Sequence, residues 1–219
     1  MPLVVRTWNL FHGNASPPER RAFLREMVEL VTADRPDIVC LQEVPVWAFA
    51  RLEAWSGMQA ACAVGAPVRV RSSELGRRLT DLHHGVLRSA LTGEGLAILT
   101  SSGGGATRVE PVGPRRVLLL QEVGEVTVGC FHVTGGVVAR EQLARVVSLA
   151  GAGRAVLAGD ANLLPPYDLV GFSEPLPDSI DQILVRGVPS SPPERWPEER
   201  RRVGGRLLSD HAPVELRLG

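Results

Sequence analysis

An α/β or α+β sandwich with mixed β-sheets is the fold class that the sequence predicts, and three observations support it. Short apolar runs rich in Val, Leu and Ile have the length and composition of strands. Segments with apolar residues at helical spacing lie between some of these runs. The dipeptide Gly124-Glu125 separates two adjacent runs, which is typical of a tight hairpin. Crossover and hairpin connections in one chain indicate both parallel and antiparallel strand pairs.

The strands are predicted at residues 3–8, 37–42, 96–100, 117–123, 126–133, 155–158, 180–185 and 212–218. The hairpin spans about 117–133 and is expected to be antiparallel. Segments 101–116 and 186–206 are rich in Gly, Pro, Ser and Arg, and we predict that they are loops.

Three segments have helical patterns. Residues 16–19 have capping-box spacing with Pro at the first helical position, so a helix is expected to begin there and to end before Pro36. Segments 47–55 and 138–150 are the other helix candidates. Their apolar faces are interpreted as core packing.

Length and composition predict that residues 1–219 form one compact domain. The chain is 44% hydrophobic and 22% charged, which excludes a disordered protein. Basic and acidic residues balance at 24 each, so no global field indicates a nucleic-acid or membrane partner. Three cysteines without a C-x-x-C motif favour a reducing compartment. No signal peptide or membrane-spanning segment is recognisable, and we expect a cytoplasmic location.

Polar residues that can bind a metal or transfer a proton lie at the ends of the predicted strands. They are Asn9, Glu43, His132, Asp160 and Asn162 after earlier strands, Asp181 at the start of one late strand, and Asp210-His211 just before the last. If the late strands run antiparallel to the earlier ones, all these side chains meet at one sheet edge, the usual place for a site in an open α/β sheet.

Each of these residues also has an ordinary structural explanation. Asn9 and Asp160 could stabilise turns, and His132 alone would more often be a hydrogen-bonded core histidine. Glu43 and Asp210 could pair with surface arginines. Taken together, however, this selection of residue types at strand ends favours a single catalytic cleft.

Five segments resemble the ordered motifs of the endonuclease/exonuclease/phosphatase superfamily, which includes DNase I-like enzymes. They are Trp8-Asn9, Leu41-Gln42-Glu43, Gly159-Asp160-Ala161-Asn162, Ile180-Asp181-Gln182-Ile183 and Ser209-Asp210-His211-Ala212-Pro213. The resemblance extends from residue 8 to residue 213. It implies a four-layer α/β/β/α sandwich with two mixed β-sheets.

The resemblance also implies roles for these residues. Glu43 corresponds to the main ligand of a divalent metal, Mg²⁺ or alternatively Mn²⁺, with Asn9 and Asp210 close to the ion. Asp160 corresponds to the group that orients or deprotonates the attacking water, and Asn162 to a group that holds the phosphate. Asp181 and His211 resemble the family's Asp–His pair, and His132 resembles a second catalytic histidine. These roles are physically reasonable, because a cation and amide or cationic donors stabilise the charge that develops on a phosphoester.

The sequence departs from the family pattern in three ways. Ala161 stands where a larger residue is common. The Tyr that many nucleases have near mid-chain has no counterpart, and His83-His84 or Glu94-Gly95 are the candidates to replace it. The interval from Asp160 to Asp181 is short for the family, which implies reduced substrate-gripping loops.

Three functions follow as hypotheses. The first is a nuclease for DNA or RNA, supported by Arg doublets at 20–21, 77–78, 115–116 and 200–202, although each alone is more readily a solvated loop charge. The alternative is a phosphatase or phosphodiesterase for a small substrate, namely an inositol phosphate, a phospholipid headgroup or a nucleotide, which charge neutrality fits slightly better. A noncatalytic binding module is disfavoured, because none of the expected polar positions is lost.

Overall fold

Two mixed β-sheets form the centre of the computed structural model, which describes residues 2–19, 21–66, 68–69, 73–82 and 92–219. In chain order the strands are β1 (Leu3–Asn9), β2 (Ala15–Ser16), β3 (Ile38–Pro45), β4 (Gln59–Val64), β5 (Glu94–Thr100), β6 (Thr107–Gly113), β7 (Arg116–Val123), β8 (Val126–His132), β9 (Ala155–Asp160), β10 (Asp181–Arg186), β11 (Glu194–Arg195), β12 (Arg202–Val203), β13 (Arg206–Leu208) and β14 (Val214–Leu218). The first sheet has the order β11-β14-β1-β3-β5-β4, and the second has the order β10-β9-β8-β7-β6. A third, small sheet contains β12, β13 and β2.

Each large sheet contains one parallel pair among antiparallel neighbours. In the first sheet β1 is parallel to β3, and β14 runs antiparallel to β1. In the second sheet β8 is parallel to β9, and β10 runs antiparallel to β9. The antiparallel directions of β14 and β10 bring their N-terminal ends to the edge where β1 and β9 end. All the candidate residues can therefore lie at one shared edge.

The layers follow from which face of each strand is apolar. One buried cluster lies between the sheets and includes Val5, Ile98, Val156 and Ile183. A second cluster packs the outer face of the first sheet against helices α1 (Leu24–Thr32) and α2 (Leu52–Ser56). A third packs the second sheet against the helix over Ala139–Leu149. The predicted four-layer α/β/β/α sandwich is therefore confirmed.

The helices also follow the sequence pattern closely in their interiors. In α1 the residues Met27, Val28 and Val31 are fully buried at helical spacing. The helix α3 (Ser73–Leu82) follows, and the helix over Ala139–Leu149, now named α4, buries Leu143 and Val146. The first of these two was not predicted, whereas α4 lies within one residue of its predicted bounds at each end.

All the predicted strands are present, and the 117–133 hairpin is antiparallel with Gly124 at φ +59° in its turn. Two predicted loops were wrong in part. Segment 101–116 contains β6, an edge strand whose side chains are mostly exposed. Segment 186–206 contains the short strands β11 and β12. These strands lack the apolar run on which the prediction depended.

The predicted start of the first helix was wrong. Ser16 belongs to β2, where it pairs with Leu207, and α1 begins only at Leu24. Segment 47–55 is helical, but its first part, Val46–Arg51, is a 3-10 helix that leads into α2. A capping-box pattern is thus outcompeted here by strand pairing with a distant segment.

Arg6 is a buried cation inside the first sheet, with 1% of its surface exposed. Its guanidinium forms ion pairs with Asp34 and Glu215 and donates to the carbonyl oxygen of Val31 at 2.7 Å. It also lies over the Trp196 ring, 5.0 Å from the centroid. This side chain therefore joins α1, β1 and β14.

We expect Arg6→Ala to lower the free energy of unfolding by about 3–5 kcal/mol, because Glu215, whose side chain is only 18% exposed, loses its buried counterion and the buried carbonyl oxygen of Val31 loses its donor. Arg200→Ala is the matched control. Arg200 pairs with the same Asp34 and Glu215 and covers the same Trp196, but its side chain is 40% exposed. Its loss should cost about 1 kcal/mol or less. Denaturant unfolding of both variants measures the difference, and equal effects would contradict the prediction.

No helix within the described parts of the chain is long and apolar enough to cross a bilayer.

Candidate active site

The strand register gathers the predicted residues at one edge where the two sheets meet. Asp181 pairs with Asp160 across β10 and β9, and His132 pairs with Asp160 across β8 and β9. Asn9, at the end of β1 in the other sheet, contacts Asp160 directly. The cleft therefore has one wall from each sheet.

Asp160 is the centre of this cluster and is 1% exposed. Its Oδ1 accepts a hydrogen bond from the backbone N–H of Asn162 at 2.7 Å. Its Oδ2 accepts from the side-chain amides of Asn9 at 3.0 Å and Asn162 at 3.2 Å. Burial, followed by the nearby charge of Asp181, raises the pKa of Asp160 to about 6. A carboxylate with such a pKa can take up a proton near neutral pH.

His211 and Asp181 form the predicted pair. The two carboxylate oxygens of Asp181 lie 3.0 and 2.9 Å from Nδ1 of His211, so this nitrogen carries a proton. Burial alone would lower the pKa of His211, but the hydrogen bond and charge of Asp181, with the charge of Asp160, raise it to about 9. His211 is therefore a cation at neutral pH, with Nε2 at 4.0 Å from Oδ2 of Asp160.

His132 lies in the opposite electrostatic environment. Its Nε2 is 3.5 Å from Oδ2 of Asp160, whereas its Nδ1 is 3.1 Å from Nη1 of Arg116. Burial and then the charge of Arg116 lower the pKa of His132 to about 4. The two histidines thus differ in charge at neutral pH.

Glu43 is joined by His12, which the sequence analysis did not assign to the site, and by Glu94, which it named only as a candidate to replace the missing Tyr. Nε2 of His12 lies 3.0 Å from Glu43 Oε2 and 3.2 Å from Glu94 Oε2. Burial opposes ionisation of Glu43, but the hydrogen bond and charge of His12 outweigh it and lower the Glu43 pKa to about 2. The same two carboxylates raise the pKa of His12 to about 9 against the effect of burial. His12 follows β1 in a turn at φ +55°, and no sequence period marks it.

Asn9 and Asp210, predicted near the metal, occupy different positions. Asn9 Oδ1 accepts the backbone N–H of Phe11 at 2.9 Å, and its amide nitrogen donates to Glu43 Oε1 at 3.2 Å. Asn9 therefore bridges the carboxylates of Glu43 and Asp160. Asp210 is at the rim with a 47% exposed side chain, and its Oδ1 lies 3.9 Å from Nε2 of His211.

The loop that carries His211 is held from below by Arg201. Nη1 of this buried guanidinium donates to the carbonyl oxygens of Leu208, Ser209 and His211 at 3.1, 2.7 and 3.1 Å. Ser209, at φ +60°, donates its hydroxyl to the carbonyl oxygen of Asn9 at 2.8 Å. The loop is thus tied to β1, and Arg201 has a positioning role that its place in an Arg-rich segment did not indicate.

Several other arginines of the predicted doublets also have partners among the described residues. Arg21 pairs with Glu26, Arg77 and Arg78 pair with Glu74, and Arg202 pairs with Glu198. These contacts use much of the positive charge that a nucleic-acid surface would need. His83-His84 lie outside the described residues, whereas Glu94 is inside the site.

The donor atoms fit a divalent cation. His12, Glu43 and Glu94 offer three ligand atoms within 4.8 Å of one another, and Asp160, Asp181 and His211 offer a second such set. Carboxylate oxygens suit Mg²⁺ and Mn²⁺, and an imidazole nitrogen shifts the preference toward transition metals. Glu43, the residue predicted as the main ligand, belongs to the first set.

A layered α/β fold with ionised carboxylates, amide donors and a cationic histidine at one edge is suited to hydrolysis of a charged substrate. A family model described as the endonuclease/exonuclease/phosphatase family matches residues 7–211, and the chain belongs to this family. Members of the family are hydrolases that act on phosphoesters.

Solved structures show the same fold. An endonuclease/exonuclease/phosphatase from Beutenbergia cavernae matches with a TM-score of 0.72 and 18% identity, covering 99% of this chain and 71% of that one. A humanised D. rerio TDP2 matches with a TM-score of 0.69 and 16% identity, covering 100% and 99%. The human Nocturnin catalytic domain with bound sulfate matches with 0.64 and 16%, covering 100% and 93%. A comparison with curated protein sequences finds no match.

Proposed function

We propose that the protein is a Mg²⁺-dependent phosphodiesterase that cleaves DNA or RNA, with nucleic acid as its partner and substrate. One observation carries this proposal. The buried carboxylate of Asp160 lies among amide donors from both sheets and within 4.0 Å of His211, a histidine that Asp181 keeps charged. A base and a cation that face each other suit attack by water on a phosphoester.

In the proposed reaction, Asp160 accepts the proton of the attacking water. Its raised pKa of about 6 matches this role. At this pKa Asp160 is a stronger base than an ordinary carboxylate, and it is still ionised at neutral pH. As the water oxygen bonds to phosphorus, the P–O bond to the leaving oxygen breaks, and the imidazolium of His211 gives its Nε2 proton to that oxygen. The amide of Asn162 donates a hydrogen bond to a nonbridging oxygen on which negative charge develops. Asn9 donates from its amide nitrogen to both Asp160 and Glu43 and so fixes the spacing of the two carboxylates.

The metal would be held by Glu43, with Asn9 and Asp210 close to it directly or through water, as the family resemblance implies. Glu94 and His12 add a second carboxylate and a nitrogen beside Glu43. When bound, Mg²⁺ or Mn²⁺ would supply positive charge to the phosphate oxygens. The ionised state of Glu43 suits this binding.

The pH dependence of kcat/KM tests the proposed roles of Asp160 and His211. Activity should rise with pH through about 6, as Asp160 loses its proton, and fall through about 9, as His211 loses its own. Asp181→Asn removes the charge that holds the proton on His211, so the alkaline limb should move to lower pH. A profile recorded for both proteins with one substrate measures this shift. An unmoved alkaline limb would assign that limb to another group.

A small phosphoester is the second candidate substrate, and a cavity favours it. A space of about 630 Å³ adjoins Asp181 and His211 and is walled by Trp196, Ile180 and Arg195. This volume suits a group of nucleotide size. The ion pairs of Arg21, Arg77 and Arg202 with neighbouring acidic residues favour the same alternative over a long nucleic-acid track.

Cleavage of supercoiled plasmid with Mg²⁺, and with EDTA, tests the proposal directly. Nicking that requires the metal and is lost in Asp160→Ala would support a nuclease and exclude a contaminant. If folded protein leaves plasmid and single-stranded RNA intact, a screen of nucleotides, inositol phosphates and phospholipid headgroups by phosphate release tests the second candidate. A steep loss of nicking with added salt would further indicate contacts to several phosphates.

Two further predictions belong with this proposal. We propose that residues 1–219 act as a single catalytic domain, and that the protein works in the cytoplasm. The three cysteines Cys40, Cys62 and Cys130 are free thiols, which fits a reducing compartment.

A further inference from the structure

Arg116 reaches into the site from the start of β7 and contacts the ring of His132. β7 runs antiparallel to β8, with Leu118 opposite Phe131, so Arg116 lies beside the end of β8. Nη1 of Arg116 is 3.1 Å from Nδ1 of His132 and 3.2 Å from Oε1 of Glu94. Its Nε is 3.4 Å from the hydroxyl of Thr134. Glu94 and Thr134 therefore both fix the position of the guanidinium that contacts His132.

This contact has only one chemically allowed polarity. A guanidinium carries N–H donors and no acceptor, and it does not lose its proton in proteins. Nδ1 of His132 must accordingly be the acceptor and must be unprotonated. The ring proton of the neutral imidazole then lies on Nε2, which faces Oδ2 of Asp160 at 3.5 Å and Oε1 of Glu43 at 3.9 Å.

His211 has the reverse arrangement on the other side of Asp160. Asp181 is an acceptor, so Nδ1 of His211 is the protonated nitrogen. Protonation of its Nε2 produces the cation, and loss of that proton leaves a bare nitrogen facing the cleft. Two histidines around one carboxylate are thus oriented by partners of opposite type, a donor and an acceptor.

We propose that Arg116 is a positioning residue that fixes His132 as a neutral imidazole with its proton on Nε2. His132 then serves as a hydrogen-bond donor and not as an acid or a base. A neutral imidazole is a poor proton donor to water but a good hydrogen-bond donor to a developing negative charge. Exchange of protons during turnover is left to Asp160 and His211.

This assignment narrows the role of a second catalytic histidine that the family resemblance implied for His132, because it excludes proton transfer by that ring. Addition of a proton at Nδ1 would break its hydrogen bond with Arg116 and place two cations in contact in a buried position. The role in catalysis rests on the proposed function, whereas the tautomer is a property of the folded protein alone.

Nitrogen-15 NMR of protein labelled at histidine tests the tautomer without any substrate. The His132 signals are identified by their absence in His132→Gln. In the wild-type protein at neutral pH, Nδ1 of His132 should have the shift of an unprotonated nitrogen and Nε2 that of a protonated one. The opposite pattern, or a charged ring, would overturn the proposal.

Two substitutions of Arg116 separate positioning from charge. Arg116→Lys keeps a donor-only cation and should keep the tautomer, with kcat within a few-fold of wild type. Arg116→Gln offers an amide oxygen that can accept from Nδ1–H, so the other tautomer becomes populated and kcat should fall about 10²-fold at little-changed KM. If Arg116→Gln has the wild-type tautomer and kcat, Arg116 has no positioning role.

Arg115→Gln is the control, since it removes the same charge from the exposed neighbouring residue. Thermal unfolding establishes that each variant is folded, and the wild-type spectrum tests the tautomer even if one is not. A protein that shows the expected tautomer but hydrolyses no phosphoester would refute the proposed function and leave the assignment of Arg116 intact.

Discussion

Asp160→Asn is expected to lower kcat by about 10⁴-fold while the protein remains folded, the scale of loss seen when a catalytic carboxylate is replaced by an amide. The amide has the size of the carboxylate but cannot accept a proton from water. It would also turn an N–H group toward Asn9 or Asn162, both of which donate to Asp160. The substitution therefore removes the base and reverses the hydrogen bonds that orient it.

Steady-state hydrolysis by equal amounts of folded wild-type and variant protein measures this effect. Asp168→Asn is the matched control, because Asp168 is an exposed acid outside the lining of the cavity beside His211. It should retain nearly full activity. A loss smaller than tenfold for Asp160→Asn would mean that another group accepts the proton.

Glu43→Gln is expected to raise the Mg²⁺ concentration required for half-maximal rate by about 10–100-fold. Glu43 is ionised well below neutral pH, and one of its oxygens faces Asn9 while the other faces His12. Replacement by Gln removes the negative charge that attracts the cation and keeps the side-chain volume. Binding should weaken more than the shape of the cleft changes.

Titration of the rate with Mg²⁺ and with Mn²⁺ measures the change. Glu141→Gln, an exposed position on α4, controls for the loss of one negative charge. The same metal dependence in Glu43→Gln and wild type would place the metal elsewhere, and the Asp160, Asp181 and His211 set would be the next candidate.

The strand-end residues could be located from the sequence because a buried strand stops where polarity begins. Val156 to Ala158 are fully buried, and Asp160 follows at a fixed distance along an extended chain. The assumption that late strands run antiparallel was sufficient to bring Asp181 and His211 to the same edge, and both strand pairings have this direction. The positions of most candidate site residues thus follow from where the strands end and from the directions in which they run.

Contacts between side chains of distant residues could not be predicted in the same way. His12 is brought to Glu43 by a turn with positive φ, which depends on the packing around it. Arg116 belongs to a doublet in a segment that looks like a charged loop, yet only Arg115 is exposed. The direction in which a charged side chain points depends on how its strand pairs with others, and the local sequence does not give that pairing.

The missed edge strands have a related explanation. Edge strand β4, QAACAV, is rich in Ala, which has low strand propensity, and β6 exposes most of its side chains. Such strands form because a neighbouring strand offers unpaired backbone groups. Residue propensities alone do not show where such unpaired backbone groups are available.

The cleft has one wall in each sheet, and the Asn9–Asp160 hydrogen bond crosses from one to the other at 3.0 Å. Between the sheets lies a layer of small and branched residues, among them Val5, Cys130 and Ile183. The thickness of that layer works as a spacer that sets the width of the catalytic opening. Redesign of the interior for heat resistance would therefore also alter the chemistry, even if no residue of the cleft were touched.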